Sequence, residues 1–584
     1  MVTSSSVIIR SLNYLRSIHL PTYVALRMLL KSVPGVSLDA FVDGIVTQAT
    51  IRRSPRVLEL KRFKSLRGDE YVYRDYSVPS PTSALADSYA IGILQEHGIV
   101  PRRDYVYSYR DPLDREYPKS FEHFSVGYSQ RNEAIALALD RDNSVAVVVD
   151  IRGFYPSVDA VKAMGILQER LGKSKGVSKR DRAIVMASAE RAIAKSVAGA
   201  RDGLRVGPEM SHILADFALQ NVDSQLCEAF GGSYFRYVDD IVVVVKKSEA
   251  QAARVAIGDI LSREGYAVSV EKDAVVGRDE WNGYRDIQRG VVSGASTSLN
   301  HLKFRTKLFL AKSPNAATEL RSCLSDAGVF LPIGQLADAS RQRAWRYRVS
   351  SLFSRRWRVV SQYWGDSIFD ITNAAIECKR DVSDELNRIL DDPSGLPDAP
   401  VSRKWRIQHA RLAINRSLYF SNLEELSRIA SYAESIPELV ETQAVCRALL
   451  GDPAAIVNMP GPAVAAFAQV ASVRGQDFPA IDVDGSAVEP GILADVAANL
   501  AIRSGRLPVR GGLEVGPDFA GLLAFAACEK FPARKEGALG YGDEVSAIGV
   551  NSSWSDLAEA ASTRFSSQED VVLDALTLST NYVS

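Results

Sequence analysis

The sequence has few of the residues from which small metal and redox sites are usually built. Its 584 residues include five cysteines, which are far apart and form no CxxC pair, and only six histidines. These numbers argue against a disulfide framework, a structural zinc site and a histidine-based nucleophile triad. We therefore expect a reducing, cytoplasmic location and a chemistry based on carboxylates.

Net charge and long apolar runs are also lacking. Lys plus Arg equals Asp plus Glu at 70 each, so any signal for a nucleic-acid partner must be local. The N-terminal apolar residues are interrupted by Arg10 and Arg16, and no later run reaches membrane-spanning length. We expect no signal peptide and no membrane partner. The length predicts two or more domains.

Helical and strand-like patterns divide the chain into segments. Residues 1–60 have the pattern of an amphipathic helical extension, and strand-like material dominates from 61 to about 290. From about 291 onward Ala, Leu and Arg recur at helical spacing. The turn-rich stretch "DDPSGLPDAP" (391–400) is the best linker candidate before a helical segment over 403–584. That segment could form a helical-repeat array, although no fixed period establishes one.

Two adjacent aspartates lie in "FRYVDDIVVVV" (235–245). Strand-like runs flank Asp239 and Asp240, which predicts a tight hairpin with both carboxylates at its tip. Carboxylates beside a buried strand are costly unless something compensates them. The pattern favours a bound cation, and a solvated hairpin turn is the simpler alternative.

Another carboxylate ends a strand upstream. "SVAVVVDI" (144–151) is a continuous apolar run of strand length, typical of a strand buried on both faces, and Asp150 lies at its end. The segment up to Asp239 is long enough for helices before the chain returns to the same sheet. The two carboxylates could then share one face and hold two Mg²⁺ ions about 3.5–4 Å apart, with Mn²⁺ as an alternative.

A glycine-containing loop lies between these two motifs, in "DGLRVGPEMSHILADFALQNVD" (202–223). Gly203 and Gly207 predict a loop whose backbone can approach a base pair, and Pro208 suits the first turn of the next helix. Apolar residues then recur at helical spacing. We expect a loop and helix that line a substrate, with a purely structural turn as the alternative for the glycines.

Three stretches, in this order, resemble motifs A, B and C of reverse transcriptases: "DIRGFYPS", "GLRVGPEMS" and "YVDD". The following "LSREGYAVSVEK" resembles motif D and ends at Lys272. An aromatic-x-Asp-Asp tetrapeptide is common by itself, but three motifs in the right order and spacing are specific. The motifs cover residues 150–272, less than a quarter of the chain.

The resemblance narrows to bacterial antiphage-defence reverse transcriptases of the abortive-infection and unknown-group classes. The reasons are the "FYPS" form of motif A and a long helical C-terminal part without a recognisable RNase H, integrase or intron-maturase segment. Many such enzymes continue motif A with a Tyr-Thr-His segment, whereas this chain has "VDAVKAM", so the subgroup stays open. The implied fold is an α+β right-hand polymerase with fingers and palm over 61–290, a basic helical thumb or connector over 291–390, and an all-α C-terminal domain.

The resemblance also implies roles for individual residues. Asp150 and Asp239 would be metal ligands, with Asp240 as a further ligand or supporting carboxylate. Tyr155 would exclude a ribose 2′-hydroxyl, and Lys272 would neutralise or protonate the leaving pyrophosphate. The expected substrate-binding residues are Tyr155, Phe154, Gly203, Gly207, Pro208 and, as a triphosphate contact from a fingers strand, Arg74.

A basic and aromatic segment, "RQRAWRYRVSSLFSRRWRVVSQYW" (341–364), holds seven arginines and no acidic residue. Arginines suit phosphates and aromatic rings suit bases, so a nucleic-acid groove is expected. An amphipathic helix with solvated arginines is the alternative. The candidate residues are Arg341, Arg343, Arg346, Arg348, Arg355, Arg356 and Arg358.

These patterns and the resemblance together predict a Mg²⁺-dependent DNA polymerase that adds dNTPs in antiphage defence. Some members of the family synthesise DNA without a copied template and start from a protein hydroxyl, and the same could hold for this chain. The first alternative is a conventional RNA-templated, nucleic-acid-primed reverse transcriptase. A non-catalytic helical-repeat protein that binds nucleic acid is the alternative of another class, and the three aspartates argue against it because carboxylates repel phosphate. A DNA product, an RNA template or noncoding RNA, and a homo-oligomer are compatible with the resemblance.

Overall fold

The computed structural model describes most of the chain in a series of ranges. These are residues 2–33, 38–51, 56–68, 70–114, 117–195, 202–270, 273–283, 295–334, 336–337, 362–392, 400–452, 454–459, 461–478, 480–482, 487–529, 540–550 and 552–563. The predicted Lys272 and the seven predicted arginines of 341–358 lie outside the described residues.

The described residues form a mainly helical α+β structure with small sheets, which confirms the coarse fold class. The helices of the first 263 residues are α1 (Ser4–Ile18), α2 (Leu20–Lys31), α3 (Leu38–Ile51), α4 (Pro81–Glu96), α5 (Phe124–Leu139), α6 (Phe154–Ser157), α7 (Ala160–Lys173), α8 (Lys179–Arg191), α9 (Glu209–Ala218), α10 (Gln220–Phe230) and α11 (Ala250–Arg263). The strands are β1 (Val57–Arg67), β2 (Glu70–Pro79), β3 (Ser144–Asp150), β4 (Ile193–Ala194), β5 (Gly203–Leu204), β6 (Tyr234–Tyr237), β7 (Asp240–Lys246), β8 (Ala274–Gly277), β9 (Ile481–Asp482) and β10 (Val509–Arg510).

The remaining helices follow β8. They are α12 (Ala295–Lys312), α13 (Ala317–Asp326), α14 (Ile368–Leu390), α15 (Pro400–Ser417), α16 (Leu423–Glu434), α17 (Val440–Leu449), α18 (Ala454–Val457), α19 (Pro462–Arg474), α20 (Pro490–Ser504), α21 (Pro517–Ala527), α22 (Tyr541–Gly549) and α23 (Trp554–Ser562). In the part of the chain that is described, no helix is both long enough and apolar enough to cross a membrane.

Residues 61–290 are more helical than the sequence predicted. The expected predominance of strands is wrong, because the helices α4 to α11 occupy most of this range. The Val- and Ile-rich runs that suggested strands are confined to a few short segments, and the residues between them form helices that cover the sheet. The predicted helical extension over 1–60 is present as α1, α2 and α3 before β1 begins at Val57.

A four-stranded antiparallel sheet, the central sheet, has the order β6-β7-β3-β8. Side chains alternate between its faces. Ala146 and Val242 pack on one face with Ile135 of α5, and Val147 packs on the other face in a cluster with Ile257 of α11. This double coverage explains the continuous apolar run of β3.

The C-terminal helices share their core with the start of the chain. Phe525 of α21 and Tyr541 of α22 belong to the same buried cluster as Leu12 of α1 and Val24 of α2. Another cluster joins the helices α12–α14 to α15–α20. The boundary predicted before 403 therefore does not separate two cores, because α19 and α20 are apolar around most of their surface and must be covered on several sides.

Polar contacts reinforce this junction between the two ends of the chain. His19 Nε2 lies 2.9 Å from Asp495 Oδ1, and Thr22 Oγ1 lies 2.7 Å from the Tyr541 hydroxyl. Glu544 accepts hydrogen bonds from Arg56 Nη1 at 2.7 Å and from Ser80 Oγ at 2.9 Å. Buried polar groups that pair across two segments fix their relative position.

Because of the shared core, replacing Phe525 should destabilise the whole protein. The Phe525 side chain is fully buried, so Phe525→Ala should lower the free energy of unfolding by about 3–5 kcal/mol. The matched control Phe369→Ala, at a side chain that is 72% exposed, should change it by no more than about 0.5 kcal/mol. Calorimetry should show the main transition shifted by Phe525→Ala. A separate C-terminal transition that alone responds would contradict the shared core.

Candidate active site

Asp150, Asp239 and Asp240 meet at one end of the central sheet. Asp150 ends β3, and its Cα partner in the register is Asp240, the first residue of β7. The Ile151 amide donates to the Asp239 carbonyl over 3.2 Å, so the two strand ends are also joined beyond the sheet. All three side chains are partly exposed. The three predicted carboxylates are therefore brought together and can be reached by solvent.

The hairpin tip differs by one residue from the prediction. Val238 and Asp239 form the two-residue turn, and Asp240 is already paired in β7 with Tyr237. Val238 has a φ of 55°, a conformation that β-branched residues rarely adopt and that costs on the order of 1–3 kcal/mol. Its amide donates to Ser108 Oγ over 2.9 Å, which helps to hold the turn that presents Asp239.

A buried network of charges holds the same turn from the other side. Arg236 Nη1 donates to the Val238 carbonyl over 3.0 Å, and its Nε donates to Asp223 Oδ1 over 2.7 Å. Asp216 accepts from Arg236 Nη2 at 2.7 Å, and Arg103 pairs with both aspartates. Burial by itself would lower the pKa of Arg236, but Asp223 and Asp216 outweigh it and hold this pKa well above its ordinary value.

Asp240 is already paired within the protein. Its Oδ2 lies 3.0 Å from Nη1 and 3.1 Å from Nη2 of Arg131, and Nη1 also donates to the Asp240 carbonyl over 3.3 Å. The Arg131 side chain on α5 is 2% exposed. A buried guanidinium that neutralises this carboxylate favours the supporting role for Asp240, and its predicted role as a metal ligand stays a prediction.

The carboxylates suit a magnesium site that is completed by substrate phosphates, but not one made of protein ligands alone. No group of three or more His, Cys, Asp or Glu side chains among the described residues is arranged to hold a metal ion. Mg²⁺, however, is usually bound through one or two carboxylates together with substrate phosphates and water. Asp150 and Asp239 have the oxygen donors, the proximity and the exposure for such a site, whereas a cage made by the protein alone does not fit.

A cavity of about 690 Å³ is lined by residues from distant parts of the chain. Tyr155 and Gly207 from the motif segments line it, as do the β1–β2 hairpin, α1, and residues of α15 and α17. Basic side chains in the lining outnumber acidic ones. The basic ones are Arg10, Arg16, Arg62, Lys64, Arg74, Lys119, Arg403 and Arg411, and the acidic ones are Glu122, Glu209, Glu438 and Glu441.

Tyr155 belongs to an aromatic group in the wall of this cavity. Its hydroxyl is hydrogen bonded to His212 Nδ1 at 2.5 Å, and the Tyr109 ring stacks on His212 with centroids 3.8 Å apart. Burial raises the pKa of Tyr155 and lowers the pKa of His212 to about 3. Both groups are neutral at physiological pH, so the ring of Tyr155 is held in place without any charge.

Local packing and backbone geometry explain why Gly203, Gly207 and Pro208 occupy the motif B segment. A Cβ on Gly203 would collide with the carbonyl of Pro156, and Gly203 is not part of the cavity wall. Gly207 has a φ of 131°, and a Cβ there would collide with the carbonyl of Ser77. Close packing therefore requires both glycines. Pro208 is the N-cap of α9, one residue before the predicted first turn.

Of two further residues predicted to bind substrate, Phe154 lies in the core and Arg74 lines the cavity. Phe154 is 4% exposed and packs beside Tyr266, with ring centroids 6.0 Å apart, so it belongs to the core and not to the cavity wall. Arg74 lies on β2 and lines the cavity. Its predicted role as a triphosphate contact stays a prediction.

Several residues of the site were missed by sequence reasoning. Glu209 and His212 line the cavity, and Arg131 neutralises Asp240. One signal was present in the sequence: Glu209, His212 and Asp216 recur at helical spacing and form a polar stripe on the otherwise apolar α9. No pattern identified Arg131, because its partner is 109 residues away.

Comparison with known proteins gives no family for this chain. No family model matches it, and no curated protein matches it. One solved structure, described as "In situ structures of the segmented genome and RNA polymerase complex inside a dsRNA virus", is similar with a TM-score of 0.26 and 14% sequence identity. The similarity covers 47% of this chain and 28% of that chain, and at this TM-score it carries no conclusion.

The pH dependence of stability tests whether Glu209, in the cavity wall, is protonated in the folded protein. Glu209 is 7% exposed, Ser120 Oγ donates to it over 2.9 Å, and burial raises its pKa to about 8 from 4.5. The folded protein therefore keeps a proton that the unfolded chain releases above pH 4.5. The free energy of unfolding should fall with rising pH up to about pH 8, by up to about 1.4 kcal/mol per pH unit.

Glu209→Gln should remove this component of the pH dependence, because the amide cannot ionise. Urea denaturation of wild type and variant across this pH range measures the difference between them. The exposed control Glu228→Gln should follow the wild-type curve. A difference between wild type and Glu209→Gln that does not grow with pH would show that Glu209 is ionised in the folded protein.

Proposed function

We propose that this chain is a Mg²⁺-dependent polymerase of the reverse transcriptase type, which adds deoxynucleotides to a priming hydroxyl. The observation that carries the proposal is the position of Asp150 and Asp239, which are partly exposed and joined at the ends of β3 and the β6–β7 hairpin. The ordered motifs in the sequence agree with it. When bound, Mg²⁺ would activate the attacking hydroxyl and stabilise the departing pyrophosphate.

The chain's own residues would bind the nucleotide on the cavity side. Arg62, Lys64 and Arg74 of the β1–β2 hairpin line the cavity and have the charge to bind a triphosphate. Arg62 is held over the Tyr76 ring at 3.6 Å, and its Nη2 donates to the Ile18 carbonyl. A cation that is already positioned loses less entropy when it binds phosphate than a free surface side chain does.

Tyr155 would contact the sugar of that nucleotide. Its ring is fixed by the hydrogen bond with His212 and by packing beside Phe154, with centroids 5.4 Å apart. A fixed ring can exclude a 2′-hydroxyl by steric contact, because movement away would break these contacts. The side chain would therefore select deoxynucleotides by shape.

The source of the priming hydroxyl distinguishes a protein-primed polymerase from a conventional, nucleic-acid-primed reverse transcriptase. Residues of α15 and α17 line the cavity together with the β1–β2 hairpin, and Arg403 Nε donates to Glu438 Oε1 over 3.2 Å. Because these C-terminal residues occupy part of the wall, we favour a short strand or a protein hydroxyl over a long duplex as the primer. A role in antiphage defence rests on the resemblance of the motifs alone.

The first test is the loss of a proposed metal ligand. Asp239→Asn keeps the shape of the side chain but removes the charge that would hold Mg²⁺. Incorporation of labelled dNTP should therefore fall more than about 100-fold, because mutation of residues that only support metal ligands already lowers activity by up to about 100-fold. The matched control Asp259→Asn lies on the exposed side of α11 and should retain activity. Wild-type incorporation by Asp239→Asn would exclude the catalytic assignment.

The labelled product should be analysed on denaturing gels before and after protease treatment. Label that enters the gel with the protein and is released by protease indicates priming from a protein hydroxyl. Label that separates from undigested protein indicates a nucleic-acid primer. Binding of nucleic acid by wild type without any Mg²⁺-dependent incorporation would favour the non-catalytic alternative.

The second test concerns sugar selection by Tyr155. Tyr155→Ala opens the cavity wall, so the preference for dNTP over rNTP should fall by at least about tenfold, a typical effect of one apolar contact. Tyr155→Phe keeps the ring and should keep the preference. The measurement is the ratio of kcat/KM for dNTP and rNTP. An unchanged ratio in Tyr155→Ala would leave Tyr155 as a core aromatic residue only.

A further inference from the structure

The strand that ends at Asp150 stays paired for two more residues with another part of the chain. The Ser269 amide donates to the Asp150 carbonyl over 2.8 Å, and the Arg152 amide donates to the Ala267 carbonyl over 2.8 Å. The residue between them, Ile151, forms an antiparallel bridge. The backbone from Asp150 to Arg152 therefore keeps the geometry of a strand.

Arg152 lies on the same face of this strand as Asp150. Because side chains alternate along a strand, Ile151 lies on the opposite face. Burial agrees with this arrangement, since Ile151 is 1% exposed in the core, whereas Arg152 is exposed and Asp150 is partly exposed. At strand spacing the Cα atoms of Asp150 and Arg152 are about 6.5 Å apart. A long side chain such as arginine can span this distance, so its guanidinium can contact a ligand that is bound by Asp150.

Arg152 differs from Arg131 because it is available to a ligand. Arg131 is 2% exposed and bound to Asp240. The Arg152 side chain, in contrast, forms no hydrogen bond or ion pair with any residue that the structure describes. Its neighbour across the paired segment, Ala267, is small and exposed and therefore leaves it uncovered. An anion that approaches Asp150 thus meets a cation that has no competing carboxylate among the described residues.

The next residue, Gly153, turns the chain toward Tyr155. Gly153 precedes α6 with a φ of 56°, and no described atom lies within 4 Å of the position that a Cβ would take there. The space beside Arg152 is therefore open. Tyr155 lines the cavity. Residues 150–155 thus connect the proposed metal ligand to the cavity wall, and the charged side chains among them are Asp150 and Arg152.

We infer that Arg152 binds the triphosphate of the incoming nucleotide beside Asp150. The inference rests on the proposed function, in which Tyr155 contacts the sugar and Asp150 holds Mg²⁺ together with substrate phosphates. The phosphates of the nucleotide then lie between these two contacts, along the segment that carries Arg152. Carboxylates repel phosphate, so a cation on the same face as Asp150 offsets part of this repulsion. A guanidinium suits the task because its planar set of N–H donors matches the oxygens of a phosphate.

The test measures phosphate binding directly. Isothermal titration calorimetry with inorganic tripolyphosphate and Mg²⁺ gives a Kd that does not depend on incorporation. Arg152→Ala should raise this Kd about 10- to 100-fold, as expected for the loss of a hydrogen bond between charged groups, and should lower kcat/KM for dNTP by a similar factor. Arg152→Lys should recover part of the loss, because it keeps the charge but not the planar set of donors.

Three controls separate this inference from other effects. Arg380→Ala removes an exposed arginine on α14 that is not part of the cavity wall, so it should leave both quantities unchanged. Thermal unfolding should show Arg152→Ala as stable as wild type, because the side chain is exposed. Guanidinium chloride, at concentrations well below those that unfold the protein, should restore part of the dNTP incorporation of Arg152→Ala and none of that of Asp239→Asn.

An unchanged tripolyphosphate Kd in Arg152→Ala would overturn the inference, as would the absence of tripolyphosphate binding by wild type. If Arg152→Ala then weakens binding of a 5′-labelled oligodeoxythymidylate, measured by fluorescence anisotropy without dNTP, Arg152 binds the strand and not the nucleotide. If tripolyphosphate binding depends on Arg152 but wild type shows no Mg²⁺-dependent incorporation, the phosphate site stands and the proposed polymerase function fails. The two failures are therefore distinguishable.

Discussion

Compensation of buried charge is the constraint on which the site depends. Arg236 is 1% exposed and contacts two aspartates and the carbonyl of Val238, so its charge is neutralised at short range. Such a cluster is tolerated in a protein interior only when its hydrogen bonds are satisfied. The cluster joins β6 to α9 and α10, and it fixes the strained turn that carries Asp239. The turn that carries Asp239 is thus held in place by buried charges.

Burial has opposite consequences for the charges of the cavity wall. It raises the pKa of Glu209 to about 8 and lowers the pKa of His212 to about 3, so both residues are neutral at physiological pH. Burial thus keeps both the acid Glu209 and the base His212 in their uncharged forms. The charge of the wall comes largely from arginines.

Both ends of the chain contribute to the site. Tyr14 of α1 donates to the Gly207 carbonyl over 2.7 Å, and Arg403 and Arg411 of α15 line the same cavity. The motif residues between 150 and 240 therefore do not form a separate structural unit. The C-terminal helices also bury Phe525 and Tyr541 against the N-terminal helices. Stability and site geometry consequently depend on the same long-range packing.

The sequence by itself determined the local features of this protein. The apolar run of β3, the hairpin around Asp239 and the helix after Pro208 follow from periodicity and turn chemistry, which act between near neighbours. Only the tertiary structure decided that Asp240 pairs with Arg131, that Ser77 leaves no room for a Cβ at Gly207, and that α15 lines the same cavity as Tyr155. These contacts join residues far apart in sequence, so they depend on how helices and sheet pack and leave no periodic pattern in the chain.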